Sequence, residues 1–362
     1  MAAGDFTAGQ LGDAIAIESE MMMTSRTSEL STSIVAAQAV MNHQDFRATE
    51  LMTPGILGVG TRCVSLKVVA HRFCDIDVDT TPTVSCAVDE GTEAEAEALT
   101  LDKENLAKIN FRVLDSQCNN VFTFEKVLAE NMLKAKAKLE VQLSKLIVTE
   151  LSTNADTPVA SWFDTDGTVV NDTYVIDPTD WTTDLYADIR YAMALTKGND
   201  PIIINGHNFY NESFLANFKG IACCDNDSVL LNGPYQMFYD LHNVDQTLGG
   251  KYSLAVDKNA LIFWSAPDHK FMELGQPELV SSDTYLWWDT LPRLQYYANG
   301  QMNPIYVDVR MKRLCSGSGV QSLTYGWDVE LVVRGVLSVN LANCDGYQGI
   351  LKIKKDASDS VS

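Results

Sequence analysis

The 362-residue sequence predicts an α+β fold, and three observations support this class. A helical pattern of apolar residues runs without interruption over residues 121–153. The arms of residues 61–113 and the late stretch 325–341 alternate between apolar and polar residues, as strands do. Between these stretches, residues 183–219 show the order helix, strand, helix, which indicates a compact layer of helices and strands.

The longest predicted element is a helix over Val121–Thr153. Its apolar residues recur every three or four positions, the spacing of one helix face: Val121, Phe124, Leu128, Met132, Ala135, Leu139, Leu143 and Leu146. Glu130 and Lys134 form a favourable i,i+4 pair, and neither Gly nor Pro interrupts the pattern. At 1.5 Å per residue the helix would be about 50 Å long. The rest of the chain or neighbouring subunits must therefore pack along it.

The ends and the second face of this helix are also predicted. Asn119 and Asn120 are candidate N-caps, and Asn154 can end the helix. A different face carries three lysines that we expect to be solvated rather than bound to phosphate: Lys134, Lys138 and Lys145. Because charges recur every turn or two, the helix is not expected to span a membrane.

Two β-rich arms before the helix flank an acidic tip. A strand period of two places Asp75, Asp77 and Asp79 on one face of the outward arm. The tip and the start of the return arm add five more acids: Asp89, Glu90, Glu93, Glu95 and Glu97. From Asp75 to Asp102 there are nine acids and no Lys or Arg. A segment with this charge cannot pack in a core, so we expect it to project.

The chain before the arms is predicted to be an extended arm, Met1–Thr53, partly helical near Ser31–Met41. We expect it to need another surface to become ordered. Beyond the long helix, a helix over Thr183–Lys197, a buried strand over Pro201–Ile204 and a helix over Asn208–Lys219 are predicted.

An aromatic-rich region follows, in which strands are predicted at Ser253–Val256, Ala260–Trp264, Thr284–Trp288 and Ile305–Arg310. Cys315–Val320 is predicted to be a turn. Tyr325–Leu341 then alternates as a long strand with one polar face, bent at Gly335, and Gly349–Ile353 is a final strand.

Composition limits the possible functions. The chain has 27 Lys and Arg against 48 Asp and Glu, a formal net charge of −21, which repels nucleic-acid backbones over most of the surface. Its eight cysteines are scattered without a C-x-x-C pair, so they are interpreted as reduced thiols rather than zinc ligands. The N-terminus lacks the basic and apolar regions of a signal peptide.

The usual catalytic motifs are missing from the sequence. It contains no phosphate-binding G-x-x-x-x-G-K-[ST], no G-x-S-x-G elbow and no H-E-x-x-H. Residues Asp164–Gly167 resemble the start of a calcium loop but lack its later ligands, so a plain turn is favoured. We therefore expect no catalytic residue, metal or cofactor, and no enzyme activity.

The order of the segments resembles the major capsid proteins of tailed bacteriophages, which have the Hong Kong 97-type fold. The most specific stretch is VSCAVDEGTEAEAEALTLDKENLAKINFRVLD followed by VFTFEKVLAENMLKAKAKLE, which is similar to that family's acidic extended loop (the E-loop) and its spine helix. YADIRYAMALTKGNDPIIINGHNFYNESFLANF is similar to the axial (A) domain, and GWDVELVVRGVLSVN to the late strands of the peripheral (P) domain. The resemblance covers roughly Met52 to Ile353.

The resemblance implies a domain division. It implies an N-terminal arm at 1–53, an E-loop with a flanking P-domain strand at 54–114, and a spine helix at 115–155. The A-domain would be 156–302, the P-domain strands 303–341, and the final A-domain strand with the C-terminal tail 342–362. Some family members crosslink a loop lysine to a neighbour's asparagine. Lys103 and Lys108 lie in the matching loop, but no partner is identified, so this chemistry is not carried over.

The resemblance also implies a function. It implies a viral structural protein that self-assembles as pentamers and hexamers into an icosahedral shell around double-stranded DNA, in a virion assembled in the bacterial cytoplasm. Portal, scaffold or decoration proteins would be further partners, the DNA would be contacted weakly, and no membrane would be involved. The acidic tip would then lie between subunits.

Two alternatives remain. An encapsulin-type nanocompartment shell has the same fold but holds cargo protein. A soluble α+β hydrolase would instead place a pocket in the aromatic region Tyr235–Trp288.

Overall fold

The computed structural model describes residues 33–44, 48–52, 66–73, 96–114, 124–182, 185–196, 201–209, 236–258, 260–268, 277–281, 283–316, 324–339 and 347–356. Within these ranges the α-helices are α1 (Val35–His43), α2 (Phe124–Thr153), α3 (Leu185–Leu195) and α4 (Val244–Leu248), with a 3₁₀ turn at Ala160–Trp162. The strands form three sheets, and the predicted α+β class is confirmed. None of the helices in the described ranges is long and apolar enough to cross a bilayer.

A three-stranded antiparallel sheet, the hairpin sheet, is formed by β1 (Ala48–Met52), β2 (Leu66–Phe73) and β3 (Ala96–Asp102), with β2 in the middle. β2 and β3 pair from Lys67 opposite Asp102 to Phe73 opposite Ala96. These two strands are the bases of the two predicted arms. The connecting tip lies outside the described residues.

A six-stranded antiparallel sheet, the long-strand sheet, contains the late strands. Its members are β4 (Glu104–Leu114), β10 (Leu261–Ser265), β11 (Glu278–Ser281), β12 (Thr284–Ala298), β13 (Gln301–Ser316) and β14 (Thr324–Val339). Its order is β10, β14, β13, β12, β11, and β4 also pairs with β14. β4 pairs with β14 residues 326–335, and β10 with residues 335–339, so β4 and β10 lie end to end along the same edge of β14.

A second six-stranded sheet, the lobe sheet, is mixed. Its members are β5 (Thr168–Val170), β6 (Thr173–Ile176), β7 (Ile202–Asn205), β8 (Met237–Tyr239), β9 (Tyr252–Val256) and β15 (Ile350–Lys355). Its order is β5, β6, β15, β9, β7, β8, with parallel pairing of β6 to β15 and of β7 to β8. The last strand of the chain therefore returns to the middle of this sheet.

The main hydrophobic core joins the two large sheets. Helices α1 and α2 contribute to one continuous cluster with the inward face of the long-strand sheet and with lobe-sheet residues such as Ile202, Leu254 and Ile350. A second cluster on the opposite face of the lobe sheet holds α3 and the aromatic residues Phe163, Tyr174 and Trp181. Because β7 alternates, Ile202 and Ile204 enter the first cluster and Ile203 the second.

Helix α2 buries most of the predicted apolar face. Leu128, Met132, Ala135, Leu139 and Leu143 are all buried. Leu146 is only half-buried, and the last turns instead bury three other residues, Ile147, Val148 and Leu151. The buried face therefore shifts by one position near the C-terminal end, as a 3.6-residue repeat does relative to a fixed spacing. Phe124 is the first residue of α2, and Val121 lies outside the described residues.

Part of the predicted N-terminal arm is packed into the chain's own core. Residues 35–43 form α1, whose Ala36, Ala37, Val40 and Met41 are buried against the rest of this chain. For α1, the surface that the arm was expected to need is supplied by other elements of the same chain. β1 also falls within the predicted arm, but it pairs with β2, so the boundary at residue 53 divides the hairpin sheet.

The predicted A-domain boundary also differs from the sheet topology. β10, β11 and β12 lie within residues 156–302, but they pair in the long-strand sheet. The sequence shows where strands lie but not which sheet they join. β12 and β13 are also longer than predicted, because they meet at a tight turn where Asn299 and Gly300 both have positive φ. β13 continues through Cys315 and Ser316, where a turn was predicted.

Candidate assembly surface

One face of the long-strand sheet is polar, and we call it the outer face. Along β13, residues Val307, Val309 and Met311 point into the core, while the alternate residues Asp308, Arg310 and Lys312 point away from it. The neighbouring strands continue this face with Asp328, Glu330 and Arg334 of β14 and Lys108, Asn110 and Arg112 of β4. The period-two alternation thus concentrates charged side chains on one surface.

Strand register arranges these charges in rows across the sheet. Asp328 lies between Arg112 and Lys312, and Glu330 lies between Asn110 and Arg310. Arg112 binds Asp328 in a bidentate pair, with Nε 2.7 Å from Oδ1 and Nη2 3.1 Å from Oδ2. Lys108 Nζ lies 3.1 Å from Glu330 Oε2. Because both pairs are screened by solvent, they contribute little to the stability of the subunit.

On the outer face, within the described ranges, the acids are paired with basic residues and some basic side chains remain without a close acidic partner. Its two acids on β14 are paired with Arg112 and Lys108, while Lys312 is only within 3.8 Å of Asp283. Among the residues that the structure describes, no carboxylate is within ion-pair distance of Arg310, which is exposed. In a chain of net charge −21, this is a local concentration of positive charge, which is complementary to acidic groups.

The outer face is also concave. An open cavity of about 670 Å³ lies over Arg112, Arg310, Lys312 and their neighbours, and a second of about 400 Å³ continues toward β11. Both are lined by Arg310 and Glu330, so we treat them as one trough. Beside it the edge strand β11 exposes Leu279 and Val280. An edge strand presents unpaired backbone groups to which an extended segment can bind.

The inner end of the trough contains a buried charge cluster. Asp308 is 3% exposed, and Arg334 Nε lies 2.9 Å from its Oδ2 while Arg334 Nη1 lies 3.2 Å from Asp268 Oδ2. The backbone N–H of Asp268 also donates to Asp308. Burial raises the pKa of Asp308 to about 6. The hydrogen bond from this N–H and the positive charges of Arg334 and Lys103 lower the pKa, but they do not offset the effect of burial.

The sequence-predicted residues are placed only in part. The acids Asp75, Asp77, Asp79, Asp89, Glu90, Glu93 and Glu95 lie outside the described residues. Glu97 lies in β3, directly opposite Arg72 of β2. On α2, Lys138 is exposed, Lys145 is half-exposed, and Lys134 Nζ lies 2.7 Å from Glu130 Oε1.

The trough itself was not predicted. Its β14 acids were visible in the sequence as the polar side of an alternating strand, but the basic residues of β4 and β13 belong to distant segments. Only strand pairing brings Arg112 and Lys312 to the same acid.

The geometry does not assemble a catalytic or metal site from the described residues. Within them no group of three or more His, Cys, Asp or Glu side chains is placed to hold a metal ion. The smaller cavity borders the aromatic region that a hydrolase would use, and its described lining includes Ser281 and Thr284 but no His or Cys. The aromatic residues Phe263, Trp287 and Tyr296 are buried in the core instead.

Comparison with known proteins gives no sequence relative. No protein-family profile matches the chain, and no curated protein matches it significantly.

Solved structures give fold-level similarities. The capsid of cyanophage P-SCSP1u superposes with a TM-score of 0.45 at 9% identity, covering 94% of each chain. The capsid of cyanophage Pam1 superposes with a TM-score of 0.43 at 10% identity, covering 99% of this chain and 100% of that one. The capsid of an empty GTA particle gives 0.38 at 10% identity, covering 89% and 96%. At TM-scores below 0.5 such superpositions do not establish function or partners. The chain is thus similar to capsid proteins over most of its length, and its function has to be argued from its own residues.

Proposed function

We propose that this chain is the major capsid (head) protein of a tailed double-stranded DNA phage, self-assembling as pentamers and hexamers into an icosahedral shell around the genome. The observation that carries the proposal is that one chain has both halves of a charge-complementary contact. The acidic segment from Asp75 to Asp102 is the part that docks, and the trough around Arg310 and Lys312 is the surface that receives it.

Self-complementarity of this kind favours rings. The acidic segment and the trough are different surfaces, so one copy docks on the next in a head-to-tail contact. Such a contact closes into a ring when the rotation from one copy to the next divides a full turn. The acids supply charge that Arg310 can pair with, and β11 offers main-chain groups to an extended segment. Many modest contacts repeated by symmetry can then hold a shell.

The other partners follow from charge and from the resemblance. A net charge of −21 keeps duplex DNA from binding the shell tightly, so we propose weak contact with the packaged genome. Portal, scaffold or decoration proteins, assembly in the bacterial cytoplasm and a final place in the virion are parts of the same proposal. We assign the hairpin sheet to the E-loop, α2 to the spine helix, the long-strand sheet to the P-domain and the lobe sheet to the A-domain.

The test is to express the chain alone and to image its high-mass fraction by negative-stain microscopy. Rings or closed shells are the expected result. Nucleic acid inside purified particles distinguishes a virus shell from a nanocompartment, which would enclose protein. A chain that remains monomeric or dimeric at high concentration would contradict the proposal.

A further inference from the structure

Helix α1 is held by hydrogen bonds to parts of the chain more than two hundred residues away. At its N-terminal end, the backbone N–H of Ala36 donates to Asp240 Oδ2 at 2.9 Å, and Asn243 Nδ2 donates to the carbonyl of Ser33 at 2.8 Å. Asp240 and Asn243 are both fully buried, and they follow β8 of the lobe sheet. This end of α1 is therefore attached to the lobe.

The other end of α1 is attached to the long-strand sheet. Gln44, 1% exposed, donates from Nε2 to the carbonyls of Phe263 and Tyr297, and its Oε1 accepts from the N–H of Phe263. The amide thus pairs with both backbone groups of Phe263, as a neighbouring strand would, and bridges β10 to β12. Halfway along, Gln38 Nε2 donates to the carbonyl of Arg293 at 3.0 Å.

A nine-residue helix with these features cannot be stable alone. Isolated helices shorter than about 12–15 residues are marginal in water. The N-cap residue Ile34 makes no side-chain cap, and the first turn has no acid. The helix therefore depends on contacts supplied at both ends by other elements. Loss of either attachment therefore weakens the docking of the whole helix, although its buried face still contacts the core.

Helix α1 is also directly connected to the hairpin sheet. Only three residues separate Gln44 from Ala48, where β1 begins and pairs with β2. Four residue steps span at most about 14 Å, so β1 cannot keep its place if α1 moves far.

From these contacts we propose that α1 is a clasp that docks and releases as one unit, joining the lobe sheet, the long-strand sheet and the hairpin sheet. Its release would remove one of the connections between the two large sheets, while the core along α2 remains, and would loosen the hairpin sheet at the same time. The inference concerns the single subunit, and it stands whether or not the proposed shell function is correct.

The test is hydrogen exchange of the full-length, unassembled chain carrying Gln44→Leu, which removes the amide at one end only. We expect amide exchange to rise roughly five- to hundred-fold along all of α1, including its first turn near Ala36, and in β1–β3. Exchange in the middle of β13 and β14 should stay unchanged. Gln295→Leu, the same change at an exposed position of β12, is the matched control.

A change confined to the neighbours of Gln44, with the first turn of α1 as protected as before, would overturn the clasp. If Gln44→Leu does not fold, Gln38→Leu removes a single hydrogen bond and gives the same readout. Asp240→Asn at the opposite end provides an independent check. It too should raise amide exchange along all of α1, including the last turn near His43, and in β1–β3. A rise confined to the first turn of α1 would also contradict the proposal.

Discussion

The carboxylate of Glu140, completely buried on α2, lies 2.5 Å from Nε of Arg293 on β12. The same carboxylate accepts the backbone N–H of Arg293 at 2.8 Å. One helical turn earlier, Lys136 Nζ lies 2.5 Å from Asp289 Oδ2. Between Thr290 and Gln295 the pairing of β12 with β13 is broken, so the two ion pairs hold this irregular stretch to the helix.

Glu140→Gln should destabilise the subunit by about 3 kcal/mol, because it leaves the guanidinium of Arg293 without its buried charge partner. The measurement is urea unfolding of the unassembled chain. Glu130→Gln, which breaks a half-exposed i,i+4 pair with Lys134 on the same helix, should cost about 0.5 kcal/mol or less. If the two variants lost equal free energy of unfolding, the buried ion pair would contribute no more to stability than the half-exposed one.

Glu140 also illustrates what the sequence could not reveal. Periodicity located α2 and most of its apolar face, because a helix face is a local property of the sequence. It gave no reason to bury Lys136 and Glu140, whose partners lie 153 residues away. The trough and the clasp were missed for the same reason. Arg112 and Lys312 lie on either side of Asp328 only because β4 and β13 both pair with β14. Gln44 likewise contacts Phe263, a residue more than two hundred positions away.

The stability of the subunit should depend on pH through Asp308. Because burial raises its folded-state pKa from 3.8 to about 6, the folded chain binds this proton more tightly than the unfolded chain. The stabilisation is complete below about pH 3.8 and is lost as the pH rises through about 6. Between about pH 5 and about pH 7.5 the free energy of unfolding of the wild type should fall by about 1 kcal/mol more than that of the Asp308→Asn variant.

Urea titrations of the two proteins across this range give the comparison for Asp308. The wild type is compared with the variant because burial also raises the pKa of Glu140, Asp156 and Asp245. These groups are common to both proteins, so their effects cancel in the difference between the two unfolding free energies. Parallel stability curves for wild type and variant would refute the assignment.

Asp156 fixes the final strand to the end of α2. Its carboxylate accepts the backbone N–H groups of Gln348, Gly349 and Ile350 at 2.7, 2.8 and 3.0 Å. Asp156→Ala leaves these three donors unpaired, so we expect a loss of about 1–3 kcal/mol and faster hydrogen exchange in β15. Asp164→Ala, at an exposed carboxylate in the following loop, should leave β15 protected.

Gly335 allows β10 to approach β14. A Cβ at this position would lie 2.2 Å from the carbonyl oxygen of Trp264, a backbone atom that cannot rotate away. It marks the point where β14 passes from pairing with β4 to pairing with β10, close to the predicted bend. Gly335→Ala should cost about 1–3 kcal/mol in urea unfolding. For Gly250→Ala the nearest atom is a Tyr252 side-chain carbon at 3.1 Å, so a much smaller loss is expected.

Charge reversal at the trough should separate assembly from folding. Arg310 is exposed on the outer face, so Arg310→Glu should leave the melting temperature of the subunit nearly unchanged. It should nevertheless reduce ring or shell formation at least tenfold, because the acidic segment of a second copy would then meet a like charge. Arg313→Glu, an exposed position on the alternate side of β13, makes the same charge change and should assemble normally.

The partner in this contact can be identified by a second reversal. Asp75→Lys, Asp77→Lys and Asp79→Lys together should restore assembly when combined with Arg310→Glu, as measured by sedimentation of the high-mass fraction at low and at high salt. Restoration requires that the acidic segment of one copy faces the trough of another. If Arg310→Glu and Arg313→Glu impair assembly equally, overall charge rather than the trough controls association, and the proposed contact is wrong.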